Sequence, residues 1–450
     1  MERREFLKRA GFAVAAGITM GGKGMSAASY KRIIGANDRV NVGVIGFSDR
    51  FRSSLLPSFK AHADKLNFDI VGVSDLWSLR RAEGKAKMED IFGHKIKTWL
   101  NNDQLYEDND IDAVIISTAD FQHALHVAEA AENGKDAYVE KPFAESMADA
   151  RKAKEAIEKA GTIVQVGSQR RSAPNYHAAN DFIRSGKFGD IVMVEMTWNV
   201  NQPGRWRRPK EVSLLQEEDI DWKRYLMNRP WEDFDPRKYL EFRLFWPYSS
   251  GIPGQWMAHQ IDTVHWFTGF NYPRSVAANG GIYLWKDGRT NYDTMTAVLD
   301  YGPADMPGKG FQVVYSSRFT NGAGGTKEIY YSNGGELNLD TNQVTSNGYL
   351  TAREAAAMGM KENKLESFSL ADNVKINTDA NTGGDPMTNL HMLNWMECVR
   401  SRRQPNANYM AGYNHSIACI MVTAALRTHE FTVFDAATQE VMAGGKVFQY

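Results

Sequence analysis

Glu140, Lys141 and Pro142 stand together in "GKDAYVEKPFAESM", at the end of an apolar run that reads as a strand buried on both faces. A lysine there, beside a carboxylate, is placed to hold or trade a proton. The same pair would serve equally as a solvent-facing ion pair at a strand end. A second feature is Gly46, which breaks the apolar run of residues 40–45 just before the helically spaced Leu55, Leu56 and Phe59. Strand, glycine turn and helix form the context in which N–H groups at a helix N-terminus hold a pyrophosphate. The fingerprint is incomplete. In Gly46-Phe47-Ser48-Asp49-Arg50-Phe51, Ser48 stands where close backbone approach wants glycine, and Phe51 where tight helix–strand packing does. Ser48 offers a hydroxyl instead, Arg50 or Arg52 offers charge to a pyrophosphate, and Phe51 must turn away from the strand, setting the helix farther off. Arg170, Arg171, Trp206 and Arg207 are of types that grip sugar hydroxyls or a carboxylate, or that sit as solvated surface.

The elements that must position these residues follow from periodicity. "FDIVGVSD", "IDAVIIST", "DAYVEKPF" and "TIVQVGS" are short apolar strands separated by helical stretches such as "DFQHALHVAEAAENGK" and "SMADARKAKEAIEKAG". Ser146 is the expected N-cap of the last of these helices and Gly161 its stop. Regular alternation of this kind predicts a doubly wound parallel sheet through about residue 167. Asp75 ends the second strand, where a carboxylate accepts from ribose hydroxyls. From Asp190 the character changes. "IVMVEMTWNV" alternates, with Val192, Val194, Met196, Trp198 and Val200 on one face, and "DTMTAVLDY" does the same. One-sided alternation predicts a largely antiparallel sheet with one covered face. Two helices, "TNLHMLNWMECVRSRR" and "NHSIACIMVTAALRTHEF", are expected to close the chain. A long aromatic and basic stretch, residues 201–248, is expected to form a binding wall.

With 450 residues the chain has length for two domains. A formal net charge of −1 gives no electrostatic case for nucleic acid or a membrane surface as partner. Cys398 and Cys419 lie in apolar helical segments and read as buried free thiols. The start, "MERREFLKRAGFAVAAGITMGGKGMSAASY", matches the twin-arginine export pattern at Arg3-Arg4 before Phe6-Leu7. The expectation is a signal segment over residues 1–35 and a periplasmic location. A dinucleotide-binding domain over 38–167 and a substrate and oligomerisation domain over 168–450 follow it.

Val42 to Gly46, residues 117–146 and residues 167–191 together resemble the Gfo/Idh/MocA oxidoreductases, the family of glucose–fructose oxidoreductase and inositol dehydrogenase. The resemblance implies an α/β fold: an N-terminal Rossmann domain, then an α/β domain whose open sheet commonly builds oligomer contacts, so a dimer or tetramer is expected. It also implies that Lys141 is the active-site lysine, that Glu140 lies beside the nicotinamide, and that Thr118, Ala119 and His123 line the cofactor. Ala119 departs from the more usual proline. The family has a glycine-rich turn followed by D-x-x-x-H, the histidine serving in acid–base work. His259 fills that position, but Gln255 stands where the aspartate would. Gln255 carries no charge, so any role of that carboxylate in raising the histidine pKa is lost. Asp262, at i+3 from His259, could face it instead. One imidazole and one carboxylate are too few for a metal, and none is expected.

The chemistry implied is hydride exchange with a carbon bearing a hydroxyl, which requires a base for the hydroxyl proton. Lys141 and His259 are the candidates, with Gln255 and His259 on the substrate side. NAD is favoured over NADP, because Asp75 would repel a 2′-phosphate; Arg80 and Arg81 argue the other way. The substrate class is a sugar, glycoside or inositol. Two alternatives stay open: an NAD-dependent glycosidase that oxidises, eliminates, hydrates and reduces with retained cofactor, and a non-catalytic sugar-binding or scaffold protein.

Overall fold

The computed structural model describes residues 39–370 and 386–449; the twin-arginine segment lies outside them. Six strands form the first sheet: β1 (Val40–Ile45), β2 (Phe68–Ser74), β3 (Lys97–Trp99), β4 (Ala113–Ile116), β5 (Asp136–Val139) and β6 (Val164–Val166). All pairs are parallel, in the order β3-β2-β1-β4-β5-β6. The strand order reverses between β1 and β4, which opens a crevice beyond their carboxyl ends. Helices α1 (Leu56–Leu66), α2 (Ser78–Phe92), α3 (His123–Glu132) and α4 (Met147–Ala160) flank the sheet. Ser146 caps α4 by accepting from the Asp149 N–H, and Gly161 ends it at φ +66°.

Phe51 does not turn away from the strand. It opens a π-helical turn, Phe51–Leu55, ahead of α1, and is 0% exposed in the core with its ring 5.8 Å from that of Phe47. The wider turn makes room for a ring where tight packing expects glycine, so Phe51 is a core residue and not a cofactor contact.

Among the described residues eleven strands form the second sheet: β7 (Ile191–Asn199), β8 (Ser275–Gly281), β9 (Thr294–Tyr301), β10 (Phe311–Arg318), β11 (Thr326–Ser332), β12 (Gly335–Asn338), β13 (Gln343–Thr345), β14 (Phe368–Ser369), β15 (Thr432–Asp435), β16 (Glu440–Ala443) and β17 (Lys446–Val447), in the order β14-β13-β12-β11-β7-β10-β9-β8-β15-β16-β17. Near its centre β7 runs parallel to β10 and antiparallel to β11; β9 and then β8 follow beyond β10. Val194, Met196 and Trp198 point into the core as the alternation predicts, but Val192 is 54% exposed. The register explains it: Tyr331 pairs with Met193 and Ser332 with Ile191, so Val192 is the extra residue of a bulge. Helices α5 (Pro174–Arg184), α6 (Ala258–Thr268) and α8 (Tyr409–Thr428) share one hydrophobic core with this sheet.

Two differences from expectation concern the end of the chain. The last described element is not a helix: β15 (Thr432–Asp435), β16 (Glu440–Ala443) and β17 (Lys446–Val447) follow α8 and extend the second sheet. Helix α7 (Pro386–Ser401) packs on the first sheet, not the second. Its Trp395 is fully buried with ring centroids 6.1 Å from Phe68 and 5.9 Å from Tyr138. A boundary at residue 167 therefore does not contain everything that builds the first domain.

Residues 201–248 carry three short helices, Pro209–Leu214, Trp222–Leu226 and Pro236–Leu240. Leu215, Trp222, Tyr225, Phe242, Phe245 and Tyr248 form a separate core with Trp77 and Phe121, which lie just past β2 and β4. The segment is thus clamped by aromatic burial against the carboxyl ends of the first sheet, and a cavity forms beneath it.

Candidate active site

That cavity has a volume of about 760 Å³ and runs from Gly46 and Asp75 to Lys141, Trp198 and His259. At one end Gly46 has φ +86°. A Cβ there would lie 3.0 Å from the Ser117 carbonyl oxygen and 3.0 Å from Thr118 Cγ2, so both conformation and space demand glycine. The Ser48 hydroxyl accepts from the Phe51 N–H at 3.2 Å and lies 3.1 Å from the Ser117 hydroxyl; it caps the helix that glycine would leave bare. Asp75 accepts from the N–H groups of Phe47 at 2.8 Å and Trp77 at 2.9 Å, and from the Tyr239 hydroxyl at 3.3 Å. Burial pushes its carboxyl up against these three bonds. Asp75 thus ties the glycine turn to the second strand as well as facing the cavity. Thr118 Oγ1 is buried with no hydrogen-bond partner among the described residues and belongs to a residue that lines the cavity. An orphaned hydroxyl beside a glycine cradle fits a dinucleotide; Gly46, Phe47, Ser48, Asp75 and Thr118 would hold it.

Arg50 does not offer its charge freely to a pyrophosphate. It lines the cavity, but its Nε donates to Glu140 Oε1 at 2.9 Å. Burial works against the Glu140 charge, yet Arg50 and Lys141 outweigh it and hold the carboxyl below its ordinary range. Arg52 pairs with Asp49, which Arg208 of the 201–248 segment also pairs. Ala119 and His123 line the cavity as well. The His123 ring lies between two carbonyls, Pro142 O at 2.8 Å and Thr118 O at 3.3 Å, and burial keeps it neutral. It fixes the turn after β5.

At the other end Lys141 Nζ donates to the Gln255 carbonyl oxygen at 2.6 Å and lies 3.3 Å from Gln255 Oε1. Arg243 Nε donates to the same Oε1 at 2.8 Å, while Gln255 Nε2 donates to Asp120 Oδ2 at 2.6 Å. The amide thus faces its oxygen to two cations and its nitrogen to a carboxylate. Burial pushes the Lys141 ammonium down to about 8, with Asp120 and Glu140 opposing and Arg243 and Arg50 reinforcing. His259 lines the cavity with its ring centroid 5.9 Å from Trp198. Burial and then the charge of Lys141 push it well below the usual range, so its imidazole is neutral.

Asp262 does not face His259. Arg171 holds it from Nε at 2.7 Å and Nη2 at 3.0 Å, and Arg171 keeps its carboxyl low despite burial. Neither residue lines the cavity. The expected catalytic Asp262 and substrate-binding Arg171 are instead a buried structural ion pair, because the i+3 direction on α6 points toward the turn of Gln169–Ser172. Arg170 lines the cavity, but its charge pairs with buried Glu328, and its guanidinium lies 5.8 Å from the Trp198 ring. Trp206 lines the cavity at φ +64°, its ring 4.9 Å from Phe319 and 5.8 Å from Trp256.

Sequence reasoning missed Asp120, Glu145, Arg205 and Arg243. Asp120 sits two residues after Thr118, so its place beyond β4 was a usable signal. Glu145 accepts from the Ser250 N–H at 3.1 Å and hydroxyl at 3.0 Å. Burial and the neighbouring Asp120 push its carboxyl up, so it holds its proton. Arg243 arrives on the turn Phe242–Leu244, and nothing in its sequence neighbourhood announces that.

Residues 40–168 match the family model described as "Oxidoreductase family, NAD-binding Rossmann fold", GFO_IDH_MocA. The scyllo-inositol 2-dehydrogenase (NAD(+)) of Bacillus subtilis strain 168 is 40% identical over 98 residues, 22% of this chain and 29% of that one. The inositol 2-dehydrogenase of Salmonella typhimurium strain LT2 is 26% identical over 214 residues, 47% of this chain and 60% of that one. The chain thus spans less than two thirds of the length of these relatives. A solved levoglucosan dehydrogenase, in complex with NADH and levoglucosan, superposes with a TM-score of 0.62 at 15% identity, over 88% of this chain and 99% of that one. That likeness shows the fold, a parallel Rossmann sheet followed by a mostly antiparallel one.

Proposed function

We propose that this chain, whose residues 40–168 are an NAD-binding Rossmann domain of the oxidoreductase family, oxidises a ring hydroxyl of a sugar, glycoside or inositol. The observation that carries the reading is one cavity shared by the glycine turn and by a lysine whose ammonium is easily deprotonated. The cofactor, when bound, supplies the hydride acceptor. Lys141, at about 8, can accept the hydroxyl proton near neutral pH. Gln255 anchors its Nζ, and Asp120 behind Gln255 limits how far the ammonium is destabilised. Neutral His259, in the same cavity, is the second group able to relay a proton. The aromatic wall of Trp198, Trp206 and Trp256 supplies apolar faces of the kind that pack against sugar rings. NAD is the preferred cofactor in this reading, since Asp75 opposes a 2′-phosphate. The relatives named as inositol dehydrogenases support the substrate class. Export through Arg3-Arg4 and assembly through the second sheet complete the proposal.

The test is to purify the protein natively, denature it and identify the released nucleotide, then follow reduced cofactor with inositols, free sugars and aryl glycosides. Bound NAD and net NADH formation support the proposal. Aglycone release without NADH accumulation would favour the oxidation–elimination glycosidase. No bound nucleotide and no affinity for added NAD would leave a sugar-binding protein.

A further inference from the structure

Arginines of the 201–248 segment fall into two groups. Arg207, Arg208, Arg224, Arg229 and Arg237 each have a carboxylate within ion-pairing distance. Arg205 and Arg243 have none among the described residues, and both line the cavity. Arg243 uses Nε on Gln255 and Arg205 uses Nη1 on Gln202. Each therefore keeps the rest of its guanidinium fork free of a carboxylate. Both lie toward the chemical end of the cavity. The Arg205 guanidinium is 5.6 Å from the Trp256 ring, which stacks on Trp198 at 5.7 Å. The Arg243 fork shares the Gln255 oxygen with Lys141. The two cations repel one another: burial, then Arg243 and Arg208, push Arg205 down to about 10. The backbone between Arg205 and Arg207 is strained as well, since Trp206 occupies left-handed space.

Two half-buried guanidinium groups with no carboxylate in ion-pairing distance, Arg243 having only the more distant charges of Asp120, Glu140 and Asp49 in its favour, are costly unless something anionic joins them, and a guanidinium fork matches a planar carboxylate. We infer that Arg205 and Arg243 form a carboxylate subsite, so that the substrate is a sugar acid, a uronate or aldonate, and not a neutral sugar. The inference rests on the proposed hydride-transfer reading and narrows its substrate. The pyrophosphate of the cofactor is a poorer occupant, because Arg243 shares Gln255 with Lys141 and Arg205 lies against Trp256, at the end of the cavity away from the glycine turn that would hold it.

The test is calorimetric binding to the full protein saturated with NADH. The probes are glucuronate, galacturonate and gluconate against glucose, galactose and myo-inositol, with glucose 6-phosphate as a third arm. An acid is expected to bind at least tenfold more tightly than its neutral counterpart, and Arg205→Gln or Arg243→Gln should reduce that ratio to about threefold or less. Circular dichroism and NADH affinity report whether each variant is folded. Equal or tighter binding of neutral sugars overturns the inference, as does failure of every acid to bind. Tighter binding of the phosphate overturns the carboxylate assignment. A loss of NADH affinity with an unchanged acid-to-neutral ratio would assign the arginines to the cofactor and overturn it too. Arginine-dependent binding of acids without any NADH formation from NAD would sink the hydride-transfer reading alone. Turnover of neutral sugars without acid preference would sink the subsite alone.

Discussion

Gln255 joins Asp120 to Lys141: its Nε2 lies 2.6 Å from the aspartate Oδ2 and its backbone oxygen 2.6 Å from the lysine Nζ. The carboxylate that is missing at position 255 stands one amide farther back, at the loop beyond β4. Asp120 is the main charge holding the Lys141 ammonium in place against burial. Asp120→Asn keeps an acceptor for Gln255 and removes the charge, so the lysine pKa should fall. The limb of kcat/KM that rises with Lys141 deprotonation should move about one unit toward lower pH. A pH profile that superposes on the parent would show that Asp120 does not act on Lys141.

Lys141 and His259 should behave as one proton-handling unit. Lys141→Met and His259→Ala should each lower turnover by ~10²-fold or more. The double variant should be little worse than the worse single one, because groups acting together are non-additive. Nucleotide occupancy should survive in His259→Ala. Near-parental turnover in either single variant removes that residue from the chemistry; fully multiplicative losses would sink the shared path.

Glu145 gives a stability prediction with a definite sign. Its folded carboxyl holds its proton above the ordinary range because of burial and Asp120, whereas the unfolded chain releases it near the usual ~4.3. Its stabilising contribution is complete below that value and is lost as pH rises toward the folded pKa, at most about 1.4 kcal/mol per pH unit. Glu145→Gln should flatten this fall. Urea unfolding at pH 5, 6, 7 and 8 measures it, and equal slopes for parent and variant would refute the assignment.

Gly46→Ala should cost about 1–3 kcal/mol of local strain, since a Cβ would press on Ser117 and Thr118 at φ +86°. NAD affinity should fall tenfold or more while the second domain melts as before. Calorimetric titration showing parental affinity would contradict the cradle.

Asp262→Ala separates the structural role from the catalytic one. It leaves Arg171 without its partner inside the protein, which should cost ~3–5 kcal/mol of stability. Turnover per folded molecule at low temperature should stay within a few-fold. A selective collapse of kcat in a protein of parental stability would return Asp262 to the chemistry.

How far the sequence reaches is visible in particular residues. Strand ends, caps and the Lys141 turn follow from local rules of periodicity and turn chemistry, so Ser146, Gly161, Gly46 and Lys141 stand where periodicity places them. The misreadings are long-range. The direction of Asp262 depends on where Arg171 lies, and the burial of Phe51 on a π turn that no apolar spacing encodes. Val192 faces out because it is the extra residue where β7 pairs with β11, a register that only the paired sheet sets. Arg243 reaches the cavity through a turn packed by aromatic residues far apart in the chain. Local rules carry no information on such pairings until the tertiary fold fixes them.

Helix α7 has a consequence for biosynthesis. A ribosome makes the six strands of the nucleotide domain first, yet Met392, Trp395, Met396 and Val399, which cover Phe68 and Tyr138, emerge some two hundred residues later. Until then one flank of the sheet stays bare, and the nascent domain has an apolar face for a chaperone to hold. Met387 and Thr388 of the same helix line the cavity, so its wall too is completed only when the chain is nearly made.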